Sequence, residues 1–275
     1  MIKIKVNNFD LNMTINSGQF FRFSKESNGS YNIILKDRVV NVIQDNNYII
    51  VESNNYDNLE NIIINFFDLN TDYNVFNKYI LEFDINLKDI INFNNNFKIL
   101  NMEPFETIIS YIISQRNSVN NITNKVNKLS ELYGSKVIFK DKEYYLFPTL
   151  KQLEKVSIED YKLIGLGYRD KYIYNIVKDI NCGKLNLNYI NNLNGKEAID
   201  YLKGYSGIGL KVASCILLFA YRKYDVFPID TWIIKGVNEI YNINKVECIK
   251  NYCENNINKY SGILLQYIFN YYRNK

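Results

Sequence analysis

Two residues in this chain combine a reactive type with a telling position. Lys211 stands two residues after the segment Ser206-Gly207-Ile208-Gly209, near the start of an apolar helical run holding Val212, Ala213, Cys215, Ile216, Leu217 and Leu218. The positive end of a helix dipole and an apolar neighbourhood both disfavour an ammonium ion, so the position favours the free amine that a nucleophile needs. Asp230 follows 19 residues later, after Asp225-Val-Phe-Pro-Ile229 and directly before the helical run Thr231, Trp232, Ile233, Ile234, Val237. Read alone, Asp230 is an N-cap and Lys211 an exposed first-turn lysine. The chain has 0 histidines, which excludes Ser-His-Asp hydrolases, zincins and zinc deaminases, because each depends on imidazole. The remaining side-chain chemistry belongs to Lys, Asp, Glu, Cys and Tyr.

The elements that must position these residues can be read from periodicity. Glu197 to Tyr205 and Leu210 to Tyr221 are helical and flank Gly207 and Gly209. Glycines between two helices allow a tight reversal and let backbone N–H groups at a helix start approach an anion. This is a helix-hairpin-helix, a holder of nucleic-acid phosphate; on the glycines alone, an ordinary helix-helix turn explains it equally well. A second Gly-x-Gly, Gly165-Leu166-Gly167, lies earlier, and neither has the third glycine or the preceding strand of a dinucleotide fingerprint. At the N-terminal end, alternation at Ile2, Ile4, Val6, at Ile33 and Leu35, and at Val40 and Val42, then the run Tyr48 to Val51, predicts strands. Asn16-Ser17-Gly18, Ser27-Asn28-Gly29-Ser30 and Gln44-Asp45-Asn46-Asn47 supply the turns. From Leu59, Ile62, Ile63, Phe66 onward, and again at Phe105, Ile108, Ile109, Ile112, Ile113, the spacing becomes helical. Ser118 caps the helix with Val119, Ile122, Val126 and Leu129, and Pro148-Thr149 opens that of Leu150 and Leu153. The expected fold class is α+β: an N-terminal antiparallel β-sheet domain with connecting helices over 1–100, then an all-helical helix-hairpin-helix domain over 101–275.

Composition agrees with a packed protein. With 275 residues, 47% apolar and 3 prolines, the chain can bury a sizeable core and is not intrinsically disordered. The net charge of +4 is compatible with an anionic partner without requiring one. No apolar run reaches the roughly 18 residues of a membrane span, and the start Met1-Ile-Lys-Ile-Lys-Val6 is no secretory signal, so free thiols in a reducing cytoplasm are expected. Heavy use of Asn, Ile, Lys and Tyr fits a bacterial genome rich in A/T.

Gly207-Ile-Gly-Leu-Lys-Val-Ala-Ser-Cys215 followed by Phe227-Pro-Ile-Asp-Thr-Trp232 resembles the helix-hairpin-helix DNA glycosylases. Ser17-Gly18-Gln19-x-Phe21-Arg22, Leu163-x-Gly165-Leu-Gly-Tyr-Arg169, and Tyr260-x-Gly262 with Phe269 extend the resemblance to the 8-oxoguanine DNA glycosylases over nearly the whole chain. What it implies is a bifunctional glycosylase and abasic-site lyase acting in base excision repair. The damaged nucleotide is flipped out of the duplex, Lys211 attacks C1′, and the resulting Schiff base permits β-elimination. Asp230 caps its helix and offers its carboxylate to the cationic sugar. Gly18 matches the glycine whose carbonyl accepts the N7–H that guanine lacks, and Cys215 and Phe269 match the residues that sandwich the base. Tyr168 and Arg169 match the wedge and the contact to the orphaned cytosine, and Gly207 and Gly209 the phosphate-holding hairpin.

The departures from the family pattern are specific. Leu265 stands where the glutamine reading the Watson–Crick edge is common, and Gln266 follows it; one residue turns a helical side chain by about 100°. In Ser114-Gln-Arg-Asn-Ser-Val-Asn-Asn121, Arg116 replaces a common asparagine beside Asn117, and Asn121 replaces an arginine that helps read cytosine. Trp232 takes the place of a phosphate-contacting histidine. The cysteines, at spacings of 33, 33 and 5, cannot hold an iron–sulfur cluster as endonuclease III-type relatives do, and the chemistry needs no metal or cofactor. The expected partner is double-stranded DNA containing 8-oxoguanine, met by a monomer in the bacterial cytoplasm at the nucleoid, without a membrane. Alternatives are a glycosylase for another damaged base, and a non-catalytic helix-hairpin-helix protein in which Lys211 only contacts phosphate.

Overall fold

Alternating apolar residues build the first layer. The computed structural model describes residues 1–275. Strands β1 (Ile2–Lys5), β2 (Phe23–Lys25), β3 (Tyr31–Leu35), β4 (Arg38–Asp45) and β5 (Tyr48–Ser53) form an antiparallel sheet in the order β1-β5-β4-β3-β2. In its register Val42 pairs with both Tyr31 and Val51, and Ile33 with Val40, so the buried side chains line up on one face. Asn46, at φ +51, and Gly29, at φ +84, make the turns foreseen at those positions. Between β1 and β2 runs a short helix, α1 (Leu11–Ile15), whose cap Asp10 accepts from the Met13 N–H at 2.7 Å.

Helices α2 (Leu59–Phe66), α3 (Tyr73–Phe83) and α4 (Lys88–Phe93) lead away from the sheet to α5 (Pro104–Ser114), in which every residue from Phe105 to Ile113 is buried. A helix buried on every side must be central. It packs against α6 (Val119–Tyr133), α9 (Arg169–Asn181) and α11 (Leu210–Tyr221). Ser118 caps α6, and Thr149 forms a capping box with Gln152 on α7 (Leu150–Leu153), which precedes α8 (Ile158–Lys162). The α+β arrangement holds, with one addition inside the helical part: a hairpin of β6 (Lys136–Phe139) and β7 (Lys142–Tyr145). It docks on the sheet, where Asn32 donates to the Tyr144 hydroxyl at 3.0 Å and Arg22 donates to Ser130 Oγ at 2.7 Å and to the Tyr145 carbonyl.

The last helices are α10 (Gly195–Lys203), α12 (Thr231–Tyr241), α13 (Val246–Asn256) and α14 (Ser261–Asn274). At Gly236 a Cβ would lie 2.5 Å from Ile268 Cγ2 and 2.5 Å from Tyr272 Cδ2. Only glycine allows α12 and α14 to approach so closely, and this approach sets the start of α12 against one face of α14. All but three of the buried apolar residues form one cluster running from Ile4 in the sheet to Tyr272 in α14, so sheet and helices share one core.

Among the buried acids, Glu106 has the most strongly raised pKa. Glu106, 6% exposed, has its Oε1 without a hydrogen-bond partner, and burial raises its pKa from 4.5 to about 7, against the opposing pull of Arg22. The folded state therefore holds the proton more tightly than the unfolded chain, and stability falls as pH rises from about 4.5 to about 7. Glu106→Gln should remove this loss, stabilising the protein at pH 8 by up to about 3 kcal/mol and changing little at pH 4. Urea unfolding at both pH values measures it; equal destabilisation at both would show that Arg22 already compensates the buried charge.

Candidate active site

The hairpin between α10 and α11 is held from outside. Gly207 has φ +83, and a Cβ there would lie 2.6 Å from the Tyr172 ring. Its carbonyl accepts from Gln115 Nε2 at 2.9 Å. Gly209 is the N-cap of α11 and has no side chain to accept from the first N–H groups of the helix, which are left without a capping partner. The earlier pair, Gly165 at φ +77 and Gly167 at φ +65, makes the turn from α8 into α9.

Lys211 and Asp230 meet across the starts of α11 and α12, with Lys211 Nζ 4.0 Å from Asp230 Oδ2. Asp230 divides its carboxylate between two tasks. Oδ1 accepts from the Trp232 and Ile233 N–H groups, at 3.0 Å each, and caps α12, which leaves Oδ2 for the amine. Its side chain is 18% exposed and that of Lys211 is 48% exposed, so the apolar surround expected of the lysine is only partial in the protein without DNA.

Behind the pair opens a cavity of about 560 Å³, within the roughly 300–1,000 Å³ of small-ligand sites. Gly18, Cys215, Gln266 and Phe269 line it together with Lys211 and Asp230. Cys215 lies one turn after Lys211 and shares its face of α11. Burial pushes its thiol up to about 12, so it is a neutral wall and not a rival nucleophile. Gly18, at φ +81, is fastened through its neighbour: Gln19 Nε2 donates to the Lys98 carbonyl at 3.0 Å, and its carbonyl accepts from the Tyr111 hydroxyl at 3.0 Å. On α14, Leu265 is fully buried in the core, whereas Gln266 lines the cavity.

The helical part, residues 109–259, matches the model of the HhH-GPD superfamily of base excision DNA repair proteins, and residues 1–108 match that of the 8-oxoguanine DNA glycosylase N-terminal domain. The 8-oxoguanine glycosylase/lyase of Clostridium acetobutylicum, solved with double-stranded DNA carrying cytosine opposite 8-oxoG, superposes with a TM-score of 0.92. The two are 34% identical, over 97% of this chain and 92% of that one. The chain belongs to the 8-oxoguanine DNA glycosylase family. A protein of Methanothermobacter thermautotrophicus named "Probable N-glycosylase/DNA lyase" is 28% identical over 271 residues, covering 87% of this chain and 85% of its own length. The 3-methyladenine DNA-glycosylase of Archaeoglobus fulgidus, at 23% identity and a TM-score of 0.80, shares the fold.

Within this 8-oxoguanine DNA glycosylase, the remaining candidate residues divide. Arg116 and Asn117 reach the cavity rim between α5 and α6, with Arg116 in the left-handed region at φ +51. Asn117 Nδ2 donates to the Ile113 carbonyl at 2.7 Å, and its Oδ1 accepts from Asn121 at 2.7 Å, which ties Asn121 down along the helix start. Trp232, 39% exposed with Lys235 Nζ 5.6 Å from its ring centre, lines the same opening. Tyr168 and Arg169 lie outside the cavity. Tyr168 is 48% exposed and rests edge-on against Tyr172 at 5.6 Å. Arg169, expected at the orphaned base, is buried. Its Nη1 donates to the Leu166 carbonyl at 2.9 Å and its Nε to the Gln115 carbonyl at 3.1 Å. Through Gln115 it braces the rim loop against the carbonyl of Gly207, a role that spacing along the chain could not reveal. Arg273, on α14, also lines the cavity, and nothing in its residue type or spacing marks it in the sequence.

Proposed function

We propose that this protein excises 8-oxoguanine from duplex DNA and cleaves the strand at the resulting site, with Lys211 as nucleophile. The observation that carries this reading is the amine at 4.0 Å from a carboxylate, at the mouth of a base-sized cavity. The uncapped N–H groups after Gly209 suit a phosphate on one side of that mouth. A base rotated out of the stack enters between Cys215 and Phe269, with the Gly18 carbonyl accepting its N7–H and the Gln266 amide reaching its Watson–Crick edge.

The amine lone pair of Lys211 forms a bond to C1′ while the C1′–N9 pair leaves with the base, which takes up a proton. Positive charge grows on the sugar, and Asp230 Oδ2, held by its capping bonds, faces it. The sugar ring opens to an iminium between Nζ and C1′; loss of a C2′ proton then expels the 3′ phosphate, and water releases the lysine. Duplex DNA seated over the mouth supplies the water exclusion that half-exposed Lys211 lacks by itself. The fold is common to glycosylases for other lesions, so it is the amine that argues for the lyase step and the cavity wall that argues for the base. Borohydride trapping on 8-oxoguanine duplexes, run with each of the four opposite bases, tests the whole reading: a covalent adduct is expected, and its absence refutes it.

The same experiment reads the opposite base. With Arg169 bonded to backbone carbonyls and Asn121 tied to Asn117, few donors are left to choose cytosine. Each good bidentate contact is worth about 1–3 kcal/mol. Excision opposite C should therefore exceed excision opposite the other bases only modestly, and Asn121→Arg should sharpen the preference. A wild-type preference of a hundredfold, about 2.7 kcal/mol, would mean that Arg116 or another residue reads the cytosine.

A further inference from the structure

The cavity wall contains a cation for which the chemistry above has no use. Arg273 stands one turn beyond Phe269 on α14, partly buried, with its Cζ 5.8 Å from the centre of the Phe269 ring. Its Nη1 donates to the Asn16 carbonyl at 3.3 Å and lies 2.6 Å from where a Cβ on Gly18 would be. The guanidinium thus rests directly on the backbone of Gly18, against the ring that closes one side of the cavity. A guanidinium has five N–H donors, and one long bond to a carbonyl leaves most of them unclaimed. Burial of this group lowers its pKa, which nearby Asp230 opposes, and it remains a cation.

Two adjacent atoms distinguish 8-oxoguanine from guanine. At N7 the lesion carries a hydrogen where guanine has a lone pair, and at C8 it carries a carbonyl oxygen where guanine has a hydrogen. With the guanidinium lying against Gly18, that residue's carbonyl and the guanidinium would offer an acceptor and a donor side by side, the pattern that N7–H beside C8=O requires. Against guanine the same pair presents a carbonyl to a lone pair and leaves the guanidinium without an oxygen to meet. We propose that Arg273 is a specificity-determining residue of this glycosylase, donating to O8 of the flipped 8-oxoguanine while the Gly18 carbonyl accepts N7–H. The proposal rests on the reading of Gly18 given above and adds a second atom to it. It also accounts for the glycine: any side chain at position 18 would displace the guanidinium.

The test separates reading the base from every other use of the residue. Arg273→Met keeps the length and the apolar cover of Phe269 while removing the donors, and Arg273→Lys keeps one ammonium. Each is assayed in single turnover on a duplex with 8-oxoguanine opposite C, and on a duplex with a preformed abasic site, where there is no base to read. Arg273→Met should release 8-oxoguanine about 10- to 100-fold more slowly, as for a lost hydrogen bond to a charged group, yet cleave the abasic duplex within about twofold of wild type. Arg273→Lys should fall between. Equal losses on both duplexes would overturn the proposal in favour of a scaffold or DNA-binding role, and undiminished release of 8-oxoguanine by Arg273→Met would overturn it outright. Wild-type protein that cleaves abasic DNA but leaves 8-oxoguanine in place would refute the reading of the cavity itself, before any variant is compared.

Discussion

Lys211→Gln is expected to bind duplex DNA containing 8-oxoguanine with nearly wild-type affinity and to leave the base in place. Glutamine preserves length and polarity but has no lone pair to offer C1′, and no other amine lies beside Asp230 in the cavity. Nucleophiles that act with a partner group lose on the order of 10⁴-fold or more when removed, so base release and strand cleavage should both fall to background. Folding should survive. The ion pair with Asp230 is 4.0 Å long and Lys211 is half exposed, and such pairs stabilise a protein by at most about 1 kcal/mol. Binding should survive for a separate reason, since in the proposed reading the phosphate contacts come from the uncapped N–H groups after Gly209 and from other cations, none of which the substitution touches. Gel-shift titration and single-turnover cleavage make the two measurements. A variant that still gives a borohydride-trapped adduct in normal yield would remove Lys211 from the mechanism.

The parts of this site visible in the sequence are those in which residue type and local spacing suffice. Lys211 after Gly207-x-Gly209, and Asp230 before a helical run, each state their own place because a helix start is a local event. The strands from Tyr31 to Ser53 were equally legible, since an alternating pattern on a half-buried sheet is local too. The hairpin of β6 and β7 was not. Its turn is Lys140-Asp141, with φ of +50 and +58, a pair of left-handed residues without the Asn-Gly that normally marks such turns. β2 has only three residues, too few to alternate. The choice between Leu265 and Gln266 depends on how α14 is rotated, and the close approach at Gly236 sets that rotation from a different helix. The bonds that hold Arg169 are illegible for the converse reason. Its partners are the carbonyls of Gln115 and Leu166, and a backbone acceptor leaves no trace in residue type. Arg273, in the last turn of a C-terminal helix, has the ordinary look of a cation answering a helix dipole, and only its contact with Gly18 marks it otherwise.

Asp230→Asn should separate the two tasks of one carboxylate. Asparagine caps a helix about as well as aspartate, so the bonds from the Trp232 and Ile233 N–H groups to the side-chain oxygen should persist and thermal stability should barely change. The oxygen facing Lys211 is then replaced by a neutral amide, and the negative charge that in the proposed reaction faces the developing sugar cation is gone. Removing one preorganised charge-stabilising group from an active site costs about 100- to 1,000-fold in rate, and single-turnover base release should slow by that order while DNA binding holds. Asp230→Ala extends the comparison. It should lose the same rate and, in addition, about 1 kcal/mol of stability with the cap, read as a lower midpoint in urea. If Asp230→Asn reacts at the wild-type rate while Asp230→Ala only unfolds more easily, the carboxylate is a cap and nothing more. If both slow together and only the alanine variant is destabilised, Oδ1 holds the helix and Oδ2 serves the reaction.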